Sequence, residues 1–200
     1  MNQRKNDLSD LDKPKENDDL DLTIRMWDRI PHKDLFQGNY STCCIGMGSS
    51  NDEAMPDYII NTAFNMIELV DNHTGNVIGN ALCYFVKNSH NEPVFVIDNI
   101  EINNNSKPSD AVGIQLRNAV VKYANNIAKD VTGLKNPKVI LGTSYNDVPT
   151  SDLRMTKISA SEFVGDLSCE EIYLDLYEGW IDSDKLKRTH LLDAFTVKTT

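Results

Sequence analysis

The stretch Pro93–Ala128, with the sequence PVFVIDNIEINNNSKPSDAVGIQLRNAVVKYANNIA, decides the fold of this chain. Its first part, Pro93–Asn103, is rich in β-branched residues and predicts a strand. A polar loop, Asn104–Asp110, leads into Ala111–Ala128, which predicts a long amphipathic helix with Ser109 at its N-cap. A strand joined to a long helix indicates an α/β fold, in which ligands bind near the carboxyl ends of the strands.

Strict alternation along the predicted strand gives two faces of different character. The first face consists of Val94, Val96, Asp98, Ile100 and Ile102. The second face, which turns from apolar to polar toward its C-terminal end, consists of Phe95, Ile97, Asn99, Glu101 and Asn103. We therefore expect the polar end of the second face to meet a ligand.

The predicted helix carries an apolar stripe at helical spacing, which we expect to pack on a sheet. Its residues are Val112, Leu116, Ala119, Val120, Tyr123 and Ile127. Upstream, Asn65–Asp71 and Val77–Lys87 flank a tight turn at Gly75 and predict an antiparallel meander that continues into Pro93–Asn103. After the helix, Lys138–Ser144 predicts a strand parallel to Pro93–Asn103, because a helical crossover joins the two.

The outer segments give weaker local signals. Ile24–Ile30 predicts a strand or a short helix that Pro31 stops, and Tyr40–Met47 predicts a short strand. Near the end of the chain, Glu170–Tyr177 alternates apolar and polar residues and predicts a strand, whereas Ser183–Phe195 predicts a final helix.

Composition limits the classes of protein to which the chain can belong. With 200 residues, 40% of them hydrophobic and 25% charged, it has the make-up of a globular protein. The net charge of −10 disfavours a nucleic-acid partner and mildly favours an amine-bearing one, although solubility is the simpler explanation of the charge. No apolar run approaches the roughly 18 residues of a membrane span, and we expect a cytoplasmic protein. Its oligomeric state stays open.

The first 21 residues differ in composition from the rest. They are almost all polar and mainly acidic, so they bury too little apolar surface to offset the entropy of ordering. We expect a disordered acidic tail at residues 1–21, followed by a single domain at residues 22–200.

The four cysteines leave two interpretations open. Cys43, Cys44, Cys83 and Cys169 have no zinc-binding spacing, and we expect no metal site. Small buried thiols in a reducing compartment are one interpretation. The other is a cysteine-dependent hydrolase or transferase that uses Cys43 or Cys44, which would require a base and a lowered thiol pKa.

A meander, a strand, a long helix and a parallel strand, in this order, resemble the GNAT superfamily of acyl-CoA-dependent N-acetyltransferases. The hairpin with Asp71, Gly75 and Gly79 also resembles a segment found at the same place in that superfamily. The resemblance covers roughly residues 60–178. It implies an α/β (α+β) fold: a mixed, mostly antiparallel sheet with a central long helix and flanking helices.

The resemblance also implies acetyl-CoA as cofactor. The family pattern, Arg/Gln-x-x-Gly-x-Gly/Ala before a helix, falls on Pro108–Gly113. Ala111 and Gly113 fit this pattern, whereas Pro108 replaces its first residue and Asp110 brings a negative charge to the place of the pyrophosphate. The acyl group is expected between strands 93–103 and 138–144, which splay apart in the family. The cofactor-binding residues implied in this way are Ile102, Asn103, Ala111, Val112, Gly113 and Asn146.

Acyl transfer to an amine needs a base and an acid. Glu101 is the candidate base. The other interpretation of Glu101 is an exposed carboxylate at the end of the strand that pairs with a lysine. Tyr145 is the candidate acid. The expected function is thus an N-acyltransferase, in the first place an N-acetyltransferase, that acts on an amine of a protein or small molecule. A catalytically inactive GNAT-like binding or regulatory module is the alternative, and an open cleft between the two splayed strands would separate the two hypotheses.

Overall fold

A computed structural model describes residues 21–41, 43, 46–48, 52–60, 63–87, 90–142 and 146–153, and the backbone of 171–174, 179–182 and 194–196. Residues 1–20, nearly all of the predicted tail, lie outside the described residues. Asp21 belongs to the fold, because its carbonyl oxygen accepts a hydrogen bond from the backbone N–H of Asn72 at 2.9 Å and its carboxylate accepts one from the Asn72 side chain at 2.7 Å.

The described residues form a six-stranded mixed sheet and a two-stranded ribbon. The strands are β1 (Leu22–Met26), β2 (Phe64–Asp71), β3 (Val77–Lys87), β4 (Pro93–Ile102), β5 (Lys138–Gly142), β6 (Glu171–Leu174), β7 (Gly179–Asp182) and β8 (Ala194–Thr196). The large sheet has the order β1-β2-β3-β4-β5-β8, in which only β4 and β5 pair in parallel, while β6 and β7 form the ribbon. The predicted mixed, mostly antiparallel sheet is confirmed.

Four α-helices surround this sheet in the described part of the chain. They are α1 (Pro31–Asp34), α2 (Gln37–Ser41), α3 (Met55–Ile60) and α4 (Asp110–Thr132). Short 3-10 turns occupy Asp52–Ala54 and Asn104–Ser106. Of these helices, none is both long enough and apolar enough to cross a membrane.

Helix α4 covers one face of the sheet and forms the main apolar core with it. Its buried side differs from the predicted stripe, since Ala119 is exposed whereas Val121 and Ala124 are buried. The helix ends at Gly133, whose φ of 68° suits a residue without a side chain. Ser109 occupies the N-cap position without a capping hydrogen bond from its side chain.

A β-bulge in β4 changes which residues share a face. Cys83 pairs with Ile97 and Leu82 with Asn99, so Asp98 is the extra residue of the bulge. As a result, Ile100 and Ile102 join Phe95 and Ile97 in the core beneath α4. The predicted strict alternation is therefore wrong beyond Ile97.

The other face of the sheet carries Asn99 and Glu101 and is covered by the short helices. Three aromatic rings pack there in sequence, with centroid distances of 4.6 Å from Tyr58 to Phe64 and 5.4 Å from Phe64 to Tyr84. Helix α2 packs on β3 on this side.

Three further expectations need correction. Tyr40 lies in α2, so the strand predicted at Tyr40–Met47 is wrong for its first residues. Ala194–Thr196 is a strand that pairs with β5, so the predicted helix does not reach Phe195. The element predicted at Ile24–Ile30 is a strand that ends at Met26, and Pro31 begins α1, in keeping with the preference of proline for the first helical turn.

Gly79 is required by close packing between β3 and β4. A Cβ atom on this residue would overlap the carbonyl oxygen of Glu101 and lie 2.8 Å from Cδ1 of Ile102. We predict that Gly79→Ala lowers the free energy of unfolding by about 1–3 kcal/mol, because the two strands must move apart. Urea denaturation measures this change.

Gly75→Asn serves as the control for Gly79→Ala. Gly75 has a φ of 72° and open space around it, and asparagine tolerates this backbone region. Equal destabilisation by the two substitutions would contradict the steric explanation.

Candidate functional site

A row of polar side chains crosses the sheet on the face opposite α4. Arg25 pairs with Glu68, Glu68 with Asn80, and Asn80 with Glu101, across strands β1 to β4. Directly opposed residues of antiparallel strands place their side chains on the same face. Four polar residues from distant parts of the chain thus lie side by side.

Glu68 is a fully buried carboxylate that two cations compensate. Arg25 forms an ion pair with one of its oxygens, and Nζ of Lys33 lies 3.0 Å from the other. Lys33 also lies 4.4 Å from the centre of the Trp27 ring. The hydrogen bond and charge of Glu68 raise the pKa of Arg25. Because removing one member of such a group leaves an uncompensated buried charge, Glu68 has a structural role.

Glu101, the candidate base, accepts hydrogen bonds from two neutral side chains. Its Oε2 accepts a hydrogen bond from the hydroxyl of Ser41 at 3.1 Å, and its Oε1 lies 3.4 Å from the side-chain nitrogen of Asn99. Only 9% of Glu101 is exposed. The interpretation as an exposed strand-end carboxylate is therefore wrong.

Helix α2 closes over this end of the row. Gln37 and Ser41 lie one helical turn apart, both are buried, and the Ser41–Glu101 hydrogen bond fixes the helix above β4. We call five buried polar residues of this region the polar cluster: Gln37, Ser41, Asn80, Asn99 and Glu101.

Asn80 and Gln37, both amides of the polar cluster, have unused hydrogen-bonding capacity. Asn80 is 1% exposed and Gln37 is 3% exposed. Among the described residues, there is no hydrogen-bond partner for either polar atom of the Asn80 side chain or for Oε1 of Gln37. Leaving such groups unsatisfied costs about 1–3 kcal/mol each, so they call for bound water or a ligand.

A polar cavity of about 390 Å³ opens near the start of β3 and the end of β4. Tyr40, which lines it, precedes Ser41, and Asn103, also in the lining, lies two residues after Glu101. The cavity thus adjoins the cluster along the chain, although its lining includes none of the five cluster residues. Its other lining residues are Asn39, Asp71, Thr74, Asn76, Val77, Ile78, Asn105 and Ser106.

The cleft between β4 and β5 is bridged by the chain itself. These strands pair from Val94 and Lys138 to Ile97 and Leu141. Beyond them, the side-chain amide of Asn146 donates a hydrogen bond to the carbonyl oxygen of Gly142 at 2.9 Å and accepts one from the backbone N–H of Ile100 at 2.8 Å. One amide thus joins the two strands where they would otherwise separate.

Asp147 continues this pairing along β4. Its backbone N–H donates to the carbonyl oxygen of Ile100, and its Oδ2 accepts from the backbone N–H of Ile102, both at 2.9 Å. Its other carboxylate oxygen forms an ion pair with Lys107 at 2.7 Å. The backbone groups of Ile100 and Ile102 on this edge are thereby bonded within the chain.

The same segment packs on the start of α4. A Cβ atom on Gly113 would lie 2.8 Å from Cδ of Pro149, and the backbone N–H of Gly113 is bonded to the carbonyl oxygen of Ser109 at 2.8 Å. Arg117, 1% exposed, donates to the carbonyl oxygen of Pro149 and to both carboxylate oxygens of Asp152. We call residues 146–153 the strap.

These contacts test the fit of an acyl-CoA, and in this conformation the residues do not fit it. The side chain of Asn146 and the backbone N–H of Ile102 and of Gly113 are bonded within the chain. Asn103 also uses its side chain locally, toward the carbonyl oxygen of Tyr40 at 3.1 Å and the N–H of Asn105 at 3.0 Å. Ala111 is exposed and Val112 half-buried on the first turn of α4.

Two further sequence candidates cannot be placed. Tyr145, the candidate acid, and Cys44 lie outside the described residues. Cys43 is half-buried, and Cys83 is fully buried in the core, where burial and the charge of Asp98 raise the pKa of its thiol. Within the described part of the chain, no group of three His, Cys, Asp or Glu side chains could hold a metal ion.

Signals for the strap and the polar cluster were weak in the sequence. The local sequence pattern does not predict that Asn80 and Glu68 lie side by side on neighbouring strands. Gln37 and Ser41 fall in a helix of only five residues, which is too short to recognise from its periodicity. Their proximity depends on strand register, which only the folded chain defines.

Comparison with known proteins concerns the fold. No protein-family model and no curated protein matches the chain. Similar solved structures include a ribosomal-protein-alanine N-acetyltransferase from Brucella melitensis biovar Abortus 2308, with a TM-score of 0.44 and 10% identity over 62% of this chain and 81% of that one. A spermidine/spermine N-acetyltransferase from Vibrio cholerae has a TM-score of 0.40 and 20% identity over 62% and 69%.

A third similar structure is the glucosamine-6-phosphate N-acetyltransferase from Arabidopsis thaliana, with a TM-score of 0.39 and 16% identity over 62% of this chain and 83% of that one. The GNAT-like arrangement predicted from the sequence is confirmed by the strand order of the chain itself, with its parallel β4–β5 pair and the long helix α4 between them.

The Arg117–Asp152 pair makes the strap sensitive to acid. Hydrogen bonds from Arg117 lower the pKa of Asp152. A lowered folded-state pKa adds stability above the unfolded value and loses it as the pH falls through the folded value. We predict that wild type is more stable than Asp152→Asn at neutral pH, and that this difference shrinks below about pH 4.

Urea titrations across that pH range measure the difference. Asp130→Asn, which alters an exposed acid on α4, is the charge-matched control and should keep the wild-type pH profile. A constant difference between wild type and Asp152→Asn from neutral pH to about pH 3 would contradict the prediction.

Proposed function

We propose that this chain is a GNAT-like binding module, which holds an amine-bearing ligand at the polar cluster and performs no acyl transfer while the strap is in place. The observation that carries the proposal is the buried Asn80 side chain, whose donor and acceptor both lack a hydrogen-bond partner among the described residues. Natural proteins leave few buried polar groups in this condition, and those few are often functional.

The chemistry of the cluster selects the ligand class. Oδ1 of Asn80 and Oε1 of Gln37 are two acceptors, Nδ2 of Asn80 is a donor, and Glu101 adds a carboxylate nearby. An ammonium group offers the hydrogen-bond donors that these acceptors require, and its charge complements the carboxylate. The net charge of −10 attracts cations to the protein from solution.

An acyl-CoA-dependent N-acyltransferase is the second candidate. Glu101 lies beside Asn99 and Ser41 at the end of β4, and a carboxylate in such a place could take a proton from an amine. Tyr145 would be the acid. This function requires the strap to leave the edge of β4, since Asn146 and Asp147 bond the groups that an acyl-CoA would approach.

Replacing Asn80 tests the binding proposal, because the substitution should increase stability and abolish ligand binding. We predict that Asn80→Leu raises the free energy of unfolding by about 1 kcal/mol, because an unsatisfied amide is replaced by an apolar group of similar size. The same change should abolish binding of lysine amide, followed in both proteins by NMR chemical shifts of the Gln37 side chain.

Asn126→Leu is the matched control, since Asn126 is exposed on α4. It should leave both stability and binding nearly unchanged. If Asn80→Leu destabilises the protein and lysine amide binds the wild type nowhere near the cluster, the polar cluster is a hydrated part of the core rather than a ligand site.

Acetyl-CoA separates the two candidate functions. A binding module with its strap in place should show no rise in melting temperature at about 1 mM acetyl-CoA, because only a ligand of the native state stabilises it. An acyltransferase should show a rise, and Glu101→Gln should then lower its rate by about 10²–10⁴-fold at unchanged cofactor affinity. Differential scanning fluorimetry and a thiol-release assay measure the two quantities.

A further inference from the structure

We infer that the strap is an internal substitute for an acyl-pantetheine arm: residues 146–153 and an acyl-pantetheine group compete for the same edge of β4. The proposed function concerns the polar cluster beneath α2, whereas this inference concerns the edge of β4 that faces β5. The two can therefore fail separately.

The first argument is the position of the Asn146 amide. It donates to the carbonyl oxygen of Gly142 and accepts from the N–H of Ile100, so it bridges β5 and β4 as a third strand's peptide group would. Pantetheine is an extended chain with two secondary amides. Each of these amides carries the same donor and acceptor pair as the Asn146 side chain.

The second argument is that the strap forms hydrogen bonds with successive backbone groups along this edge of β4. Three consecutive backbone groups on this edge of β4 are bonded to the strap: the N–H of Ile100, its carbonyl oxygen and the N–H of Ile102. A buried strand edge requires such partners, because unsatisfied backbone groups are costly. Whatever removes the strap must therefore supply equivalent hydrogen bonds.

The third argument is how the strap is fastened. Its two ion pairs each include one partly exposed side chain, since Lys107 is 44% and Asp152 45% exposed. The Lys107–Asp147 pair is partly exposed on both sides and stabilises by little, typically less than about 1 kcal/mol. The strap is held by the β4 hydrogen bonds, by the buried guanidinium of Arg117 and by Val148 in the apolar core, and a competitor must replace the β4 hydrogen bonds to displace it.

The experiment compares the wild type with a variant whose strap is detached, Asn146→Ala/Asp147→Ala. Asn126→Ala/Asp130→Ala is the matched control, because it removes the same two residue types from exposed positions on α4. The probe is S-acetylpantetheine, which lacks the pyrophosphate that Asp110 would repel. Binding and amide hydrogen exchange are read from the backbone NMR signals of Ile100 and Ile102.

We expect the detached variant to bind S-acetylpantetheine at least about tenfold more tightly than the wild type and the control. In the wild type, the apparent affinity is reduced to the fraction of molecules in which the strap has left the edge of β4. In the free variant, the amides of Ile100 and Ile102 should exchange faster than in the wild type, and the bound probe should slow them again. Equal affinity in wild type and variant would overturn the inference, as would faster exchange without any binding.

A second variant keeps the test decisive if the first fails to fold. Lys107→Met/Asp152→Asn removes only the two partly exposed fastenings and keeps the bonds to β4. It should bind the probe about threefold or more tighter than the wild type, and no gain in a folded protein would overturn the inference. Lysine amide binding, read from the Asn80 side chain, should be unaffected in either variant.

Discussion

The β-bulge at Asp98 is the constraint on which the rest of the structure depends. Without the extra residue, Ile100 and Ile102 would leave the core beneath α4, and Glu101 would enter it. With it, one strand supplies four apolar residues to one face and still presents Asn99 and Glu101 to the other. The bulge also ends the regular pairing with β5 near Ile97, so the last part of β4 needs other partners.

The two faces of β4 meet opposite physical demands. Beneath α4, packing is apolar and continuous, and it needs no specific polar contact. On the other face, Glu68 is neutralised by Arg25 and Lys33, whereas Asn80 one strand away keeps its amide unsatisfied within the described residues. Both residues are equally buried, so burial alone does not explain the difference. The charge of Glu68 is compensated by Arg25 and Lys33, whereas the amide of Asn80 is the group that a ligand can bind.

The meander, β5 and α4 could be predicted from the sequence, because each has its own periodicity and turn signals. The faces of β4 could not be predicted, because the bulge depends on pairing with β3. In the sequence alone, Asp98-Asn99-Ile100 has the pattern of a regularly alternating strand. The sequence likewise predicts a strand at Tyr40, since a helix of five residues has too little periodicity to recognise. The strap depends on contacts between residues 46 positions apart, for which no local signal exists.

The start of α4 and the strap are related through charge and packing. Asp110 places a negative charge at the start of α4, where an anion would otherwise be attracted, and Pro149 closes over Gly113 in the same region. Without the strap, the N–H and C=O groups on this edge of β4 would be exposed and able to pair with another chain. Asn146 and Asp147 satisfy those groups from within. The strap therefore packs on the start of α4 and also protects the strand edge beside it.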